Sequence, residues 1–495
     1  MTKILGTFLL FFLMTPGLSL VAQTAQRVYD LNPTSGSSSP QNLTSFKGTL
    51  YFSADDGNVG RELWRYDQNS SAPALVADIA SGRVHGFRSG MPELNGRMYF
   101  NAYIPAALKT QLVVYDGVNP PTVAPGIPDS IYLGTSDLIT YNGKIFFSAG
   151  TASTGTELCS YDGAGNPTLY DINPDTGSNP HYFTIFNGKL YFLATGDYSN
   201  FGEELYVYDP ATDQCSMVAD INPGGPSSHC RGFTVAGSKM YFAAITPGYE
   251  MELCAFDGNM VTRLSDLAPG PQHGVTNVLA YYRGDIIFRG STDNIESFPY
   301  KYNVTTGQID RLSNDPTITE IFAAAEYKGT LYLSCGKDES QVFGTGNELW
   351  KFDGASLSML PEISPGWRGS YPANFLVHND NLYFTARDSA YGVELYRLND
   401  ATRILRSNFE GDLTLFPNPA TTTATVELTL PASQALALSF TDIMGREVFK
   451  TGLRSFDNGK TRIVIPLHTL ASGSYNYRLV DAVGQLQVSG ILVRD

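Results

Sequence analysis

FTIFNGKLYFLATGDYSNFGEELYVYDPATDQCSMVADIN, residues Phe183 to Asn222, holds four strand-like runs: FTIF, KLYFLA, ELYVYD and SMVADI. Turn residues divide them. Asn187-Gly188 tolerates the positive φ of a tight hairpin, and the aromatic and β-branched residues on either side suit a pleated, packed surface. The unit recurs along the chain. An aromatic-Asp pair ending the third run is the ruler: Tyr66-Asp67, Tyr115-Asp116, Tyr161-Asp162, Tyr208-Asp209, Phe256-Asp257 and Phe352-Asp353, with Tyr302-Asn303 and Leu398-Asn399 in the two remaining places. Successive pairs stand 46 to 50 residues apart, which makes eight copies.

Four antiparallel strands per copy, repeated at this period, predict a β-propeller. The expected fold is all-β: an eight-bladed propeller of four-stranded blades over residues 27–405, then a small C-terminal β-sandwich over 406–495. The run Arg27–Leu31 precedes any first strand. It is expected to complete the last blade and close the ring, which removes the unpaired edges an open row would keep. A Glu opens the third run in six copies (Glu62, Glu157, Glu204, Glu252, Glu348, Glu394), while Gln111 and Phe298 stand there in copies two and six. A carboxylate repeated once per blade is expected to accept hydrogen bonds from loop N–H groups, because buried carboxylates need donors. On that reading Glu62, Trp64, Asp67, Glu204, Asp209, Glu348, Trp350 and Asp353 are parts of the scaffold. Pro299 deletes a ladder N–H in copy six.

Composition bounds the function. Of 495 residues, 42 % are hydrophobic and 16 % charged, as in a globular protein, and the formal net charge is −15. That charge argues against a nucleic-acid partner, which needs clustered Lys and Arg. Residues 1–26 carry Lys3, an apolar run from Ile4 to Met14 and then small or polar residues, the layout of a cleavable secretory signal. No later run is long enough to be a transmembrane helix. The five cysteines are Cys159, Cys215, Cys230, Cys254 and Cys335. Cys159 and Cys254 stand in ELC where other copies have ELW, and are expected to be buried and apolar in character. Cys215 and Cys230 flank one loop and are candidates for a disulfide.

ELWRYD, ELWKFD, ELCSYDG and ELYVYD resemble the ELWxxDGT repeat family of secreted bacterial proteins, over about residues 27–405. The resemblance implies extracellular binding or scaffold modules and no general enzymatic activity. In the tail, FPNPA at Phe416–Ala420, DIMGREV at Asp442–Val448 and LASGSY at Leu470–Tyr475 resemble the type A C-terminal sorting domain of the type IX secretion system. Pro417, Asn418, Pro419, Gly445, Gly473 and Tyr475 carry the match. It implies the type IX secretion machinery as a partner, export through the periplasm, and a secreted or outer-surface destination. The chain ends Arg494-Asp495, where the family commonly finishes on a basic residue.

No GxSxG, HExxH or Walker loop is present. His85, His181, His229 and His273 lie in loops between a fourth run and the next first run, which in a propeller emerge on one face. They are weak candidates for ligand binding: their offsets from the preceding Asp differ, and solvated loop histidines are the simpler reading. Asp55-Asp56-Gly57-Asn58 carries oxygens of the kind calcium takes but lacks full DxDxDG spacing, so a polar turn is favoured. No metal site or other cofactor is expected. Two functions are weighed. The first is a non-enzymatic binding, adhesion or scaffold protein with a glycan or surface-protein ligand. The second is a polysaccharide hydrolase or lyase on a propeller.

Overall fold

The structure is a computed structural model that describes residues 23–33, 36–134, 138–196, 201–337, 346–366, 368–399, 412–416, 418, 420–441, 446–468, 470–481 and 486–494. The leader through residue 22 lies outside them. The chain divides into two compact units, one of residues 25–399 and one containing 400–495.

The first unit consists of eight antiparallel sheets, numbered here in chain order. Sheet four shows the plan: His181–Phe186, Lys189–Thr195, Glu203–Asp209 and Gln214–Ala219 pair in simple succession. Strand alternation decides how the LYF triplet packs. Leu190 and Phe192 face a cluster shared with Phe146 and Leu158 of sheet three, whereas Tyr191 faces a cluster shared with Met240 and Phe256 of sheet five. In copies one to five the middle aromatic of the triplet meets the ruler aromatic of the next copy, as in Tyr51–Tyr115 at 5.9 Å and Tyr191–Phe256 at 5.5 Å between centroids. Such edge-on pairs add about 0.5–1.5 kcal/mol beyond the area they bury. A cluster of this kind lies between every two successive sheets. One more joins the ends: Leu50, Phe52 and Trp64 of sheet one pack with Tyr383 and Leu395 of sheet eight.

Sheet eight takes its outer strand from the start of the chain, but that strand is Thr24–Arg27 rather than Arg27–Leu31. The shift has a physical cause. Val28 still donates its N–H to the Leu395 carbonyl, at 2.8 Å, whereas Leu31 turns its N–H to the Glu394 carboxylate. The same exchange shortens the fourth strand elsewhere. Ile221, expected to end the run SMVADI, gives its N–H to Glu204, and Ile79, Ile172 and Ile363 give theirs to Glu62, Glu157 and Glu348.

All five cysteines are free thiols. Cys215 and Cys230 do not pair, because they serve opposite faces of sheet four: Cys215 packs toward sheet three and Cys230 toward sheet five. In sheet six, Pro299 lies in the strand Phe298–Asn303, and its carbonyl accepts the N–H of Leu312 at 2.9 Å.

The second unit has two sheets around one core. Thr423–Leu430 lies between Asp412–Phe416 and Gly459–Pro466, while Gln434–Thr441 and Gly473–Asp481 are central to the other sheet. Thr423–Leu430 alternates strictly, burying Ala424, Val426, Leu428 and Leu430 against Leu438, Phe440 and Leu479.

Candidate functional site

The first strands of sheets three to eight line a cavity of about 1070 Å³. A recurring bulge shapes its wall. The ladder slips between His181 and Thr184, between Arg231 and Thr234, and between Ala373 and Leu376. The slipped residue takes left-handed φ at Tyr182 (56°), Gly232 (68°) and Asn374 (53°). Gly232 is required, since a Cβ there would sit 2.2 Å from the Val278 carbonyl oxygen. Tyr182 is an unusual residue for this conformation. The residue is 55 % exposed and lines the cavity wall.

Glu203, beside the repeated Glu204, stands between two imidazoles. Its carboxylate is 3.5 Å from His181 Nε2 and 4.0 Å from His229 Nδ1. The Glu203 N–H is held by Ser227 Oγ at 2.9 Å, and His181 Nδ1 donates to the Asn179 carbonyl at 2.9 Å. Arg231, exposed, and Arg289 add two guanidinium groups; Phe233 and Phe322 add aromatic surface. Among the described residues lining the cavity, Glu203 is the only carboxylate.

The other two candidate histidines do different work. His85 Nδ1 accepts the Arg61 N–H at 2.8 Å and His273 Nδ1 accepts the Met251 N–H at 3.2 Å, each capping the start of a third strand. Each also has a carboxylate nearby, Asp55 at 3.8 Å and Glu250 at 3.7 Å. His273 lines a side recess with His229 and Arg231, but His85 touches neither. The four imidazoles do not converge. Among the described residues no three His, Cys, Asp or Glu side chains are placed to share a metal ion. Asp55 and Asp56 fold onto their own turn: Asp55 Oδ1 accepts from Gly57 N–H, and Asp56 Oδ1 from Asn58 and Val59 N–H.

The repeated residues hold structure. Glu157 accepts from the N–H groups of Ile172, Asn173 and Ser178 and from the Ser178 hydroxyl. Glu348 accepts from Ile363, Ser364 and Ser370. Burial pushes these carboxyls up, and those of Glu62 and Glu204 reach about 7. Trp64 Nε1 donates to the Ala54 carbonyl at 3.1 Å, and Trp350 is buried. Asp67, Asp209 and Asp353 each bind backbone N–H two residues on, at 2.8–2.9 Å, closing the third hairpin. In the tail, Asn418 Oδ1 accepts the Val493 N–H at 2.8 Å, Tyr475 Oη donates to the Ala471 carbonyl at 2.7 Å, and Gly473 opens a strand. Pro417, Pro419 and Gly445 lie outside the described residues.

Sequence reasoning missed Glu203, Arg231, Arg289 and Tyr182. They sit at positions where copies differ, so periodicity carries no signal for them. The doubled Glu203-Glu204 is the one local irregularity that marks the spot.

Residues 414–493 match the family described as "Secretion system C-terminal sorting domain". The tail is a type IX secretion sorting domain, which assigns the chain to export by that machinery and to a secreted or cell-surface location. A search of curated proteins found no match. Among solved structures, the chain is similar to PorZ, "an essential bacterial surface component of the type-IX secretion system" of Porphyromonas gingivalis. Identity is 13 %, TM-score 0.31, with 92 % of this chain and 75 % of that one covered. It is also similar to a puromycin hydrolase (13 %, TM-score 0.43, 72 % of this chain, 59 % of that one). A third is a fungal alcohol oxidase of the AA5 family in complex with copper (12 %, TM-score 0.38, 96 % and 99 %). The chain therefore spans less than two thirds of the length of the hydrolase it matches. No helix among the described residues is long and apolar enough to cross a membrane.

Proposed function

We propose that this protein is a non-enzymatic binding or scaffold protein exported through the type IX system, built as an ELWxxDGT-type, eight-bladed β-propeller over residues 27–405. Its ligand enters the cavity at the first strands. The ring is supported by the eight sheets, the cluster between sheets eight and one, and the N-terminal strand in sheet eight. One observation carries the choice of binding over catalysis. The cavity offers aromatic faces, two guanidinium groups and a His-flanked carboxylate, but only one carboxylate among its described lining residues. Glycoside cleavage by the usual route needs two, about 5–10 Å apart.

The test is an array of glycans and matrix proteins probed with the purified full chain, alongside a reducing-sugar release assay. Binding without release, weakened by Arg231→Ala and Tyr182→Asn, is the expected result. Release of product, or no binding to any array member, contradicts the reading.

A further inference from the structure

Most basic groups in the wall of the large cavity are matched. Arg289 reaches Glu320 Oε1 through Nη2 at 3.4 Å, and His181 and His229 stand against Glu203 at 3.5 and 4.0 Å. In the side recess His273 stands against Glu250 at 3.7 Å. Arg231 is the exception. It is exposed and lines both spaces, and among the described residues its guanidinium has neither a hydrogen-bond nor an ion-pair partner.

Asn277 stands beside it. Gly232, the neighbour of Arg231, lies so close to the first strand of sheet six that a Cβ there would sit 2.5 Å from Asn277 Oδ1. Asn277 is also the ladder partner of Arg289, so the two side chains leave sheet six on one face. Asn277 is half-buried in the cavity wall, its amide keeps accessible surface, and among the described residues that amide has no hydrogen-bond partner. A free guanidinium and a free amide side by side in a concave wall are the few placed polar groups that fix a ligand in a pocket.

The wall also limits what can carry the anion. The first strands of sheets four to eight all slip register where they line the cavity. Bulges keep a strand edge from being extended by another chain. A peptide therefore finds no continuous ladder, and recognition falls to side chains, with Tyr182, Phe233 and Phe322 supplying aromatic surface.

We infer that the cavity binds an acidic saccharide through a uronate ring, its carboxylate on Arg231 and a neighbouring hydroxyl on Asn277. This rests on the proposed binding role and names its ligand class. A guanidinium takes a carboxylate through two parallel N–H···O bonds, and a hydroxyl satisfies the amide whichever way the amide is turned. Spaced charges fit better than a dense polyanion: one unmatched guanidinium takes one carboxylate, and Glu203 and Glu250 repel further negative charge.

Calorimetric titration of the full chain with tetragalacturonate, tetramannuronate and a hyaluronan hexasaccharide, each beside its carboxyl-reduced form, tests this. A heparin hexasaccharide and hexaglutamate are the dense-charge and peptide controls. At least one uronate is expected to bind roughly tenfold more tightly than its reduced form, as a charged hydrogen-bonded contact should, and more tightly than either control. Arg231→Gln is expected to lower it to the affinity of the reduced form, Asn277→Ala to weaken it severalfold, and Arg231→Lys, which keeps the charge without the fork, to fall between wild type and Arg231→Gln. Arg231 is exposed, so Arg231→Gln is expected to keep the wild-type melting temperature. Equal affinity for the reduced forms, wild-type affinity in Arg231→Gln, or preference for heparin or hexaglutamate overturns the assignment. Binding of neutral glycans or of a matrix protein in place of uronates overturns it while leaving the binding role intact. If neither glycans nor proteins bind, both fall.

Discussion

The ring of Tyr383 packs edge-on against the ring of Tyr66, 6.3 Å between centroids. Tyr383 is the middle residue of the eighth LYF triplet and Tyr66 the ruler aromatic of the first copy. It is the contact that Tyr51 makes with Tyr115 one copy along, here made between the two ends of the repeat. The Glu394 bracket repeats the logic. Its carboxylate accepts the N–H of Ser38 at 2.9 Å and that of Leu31 at 3.3 Å, so the last copy is finished by residues that precede the first copy in the chain.

The bracket predicts a measurable cost. Glu157→Ala strands the N–H groups of Ile172, Asn173 and Ser178, and an unmade buried hydrogen bond costs about 1–3 kcal/mol. Denaturant titration is expected to show a loss of roughly 3 kcal/mol or more, with Glu157→Gln losing less because one amide oxygen still accepts. A wild-type midpoint in the alanine variant would falsify the bracket.

Stability is expected to fall as pH rises from about 4.5 to 7. Burial lifts the Glu62 and Glu204 carboxyls to about 7 from an ordinary 4.5. The folded chain then holds protons that the unfolded chain has released, so rising pH through that window favours unfolding. The melting temperature is expected to be higher at pH 5.5 than at pH 8, and Glu62→Gln is expected to flatten the slope. An unchanged or rising melting temperature across the window contradicts it.

The interiors between sheets should respond as close-packed cores. Phe192 is fully buried between sheets three and four. Phe192→Ala is expected to cost about 3–5 kcal/mol in denaturant unfolding. A cost under 1 kcal/mol would mean the two sheets do not pack there.

Thiol chemistry checks the cysteine assignment. Burial pushes Cys159, Cys215 and Cys254 up to about 12, so none is a thiolate near neutral pH. Maleimide at pH 7.5 is expected to leave the native protein unlabelled, and to label all five cysteines in denaturant without reductant. Three labels in denaturant would restore the Cys215–Cys230 disulfide.

What the sequence revealed, and what it hid, divide along one line. The LYF triplets, the Asn-Gly turns and the repeated glutamate are visible because each acts within a residue or two of itself: alternation, left-handed backbone, a charge needing donors. The end of the N-terminal strand is not local. Asp30-Leu31 looks like strand, but the Leu31 N–H belongs to Glu394, at the other end of the repeat. The cavity is hidden for the same reason. His181 and His229 meet at Glu203 only because sheets four and five stand side by side, and nothing in either loop announces the other. Cys215 and Cys230 mislead through their nearness in sequence, since a strand face separates them.

Closure is the claim on which the cavity depends, and deletion of residues 24–31 tests it most directly. Calorimetry of the full chain against the deletion is expected to show a clear fall in melting temperature, because Val28, Leu31 and the outer strand of sheet eight are removed together. An unchanged melting temperature would mean that the N-terminal segment does not close the ring.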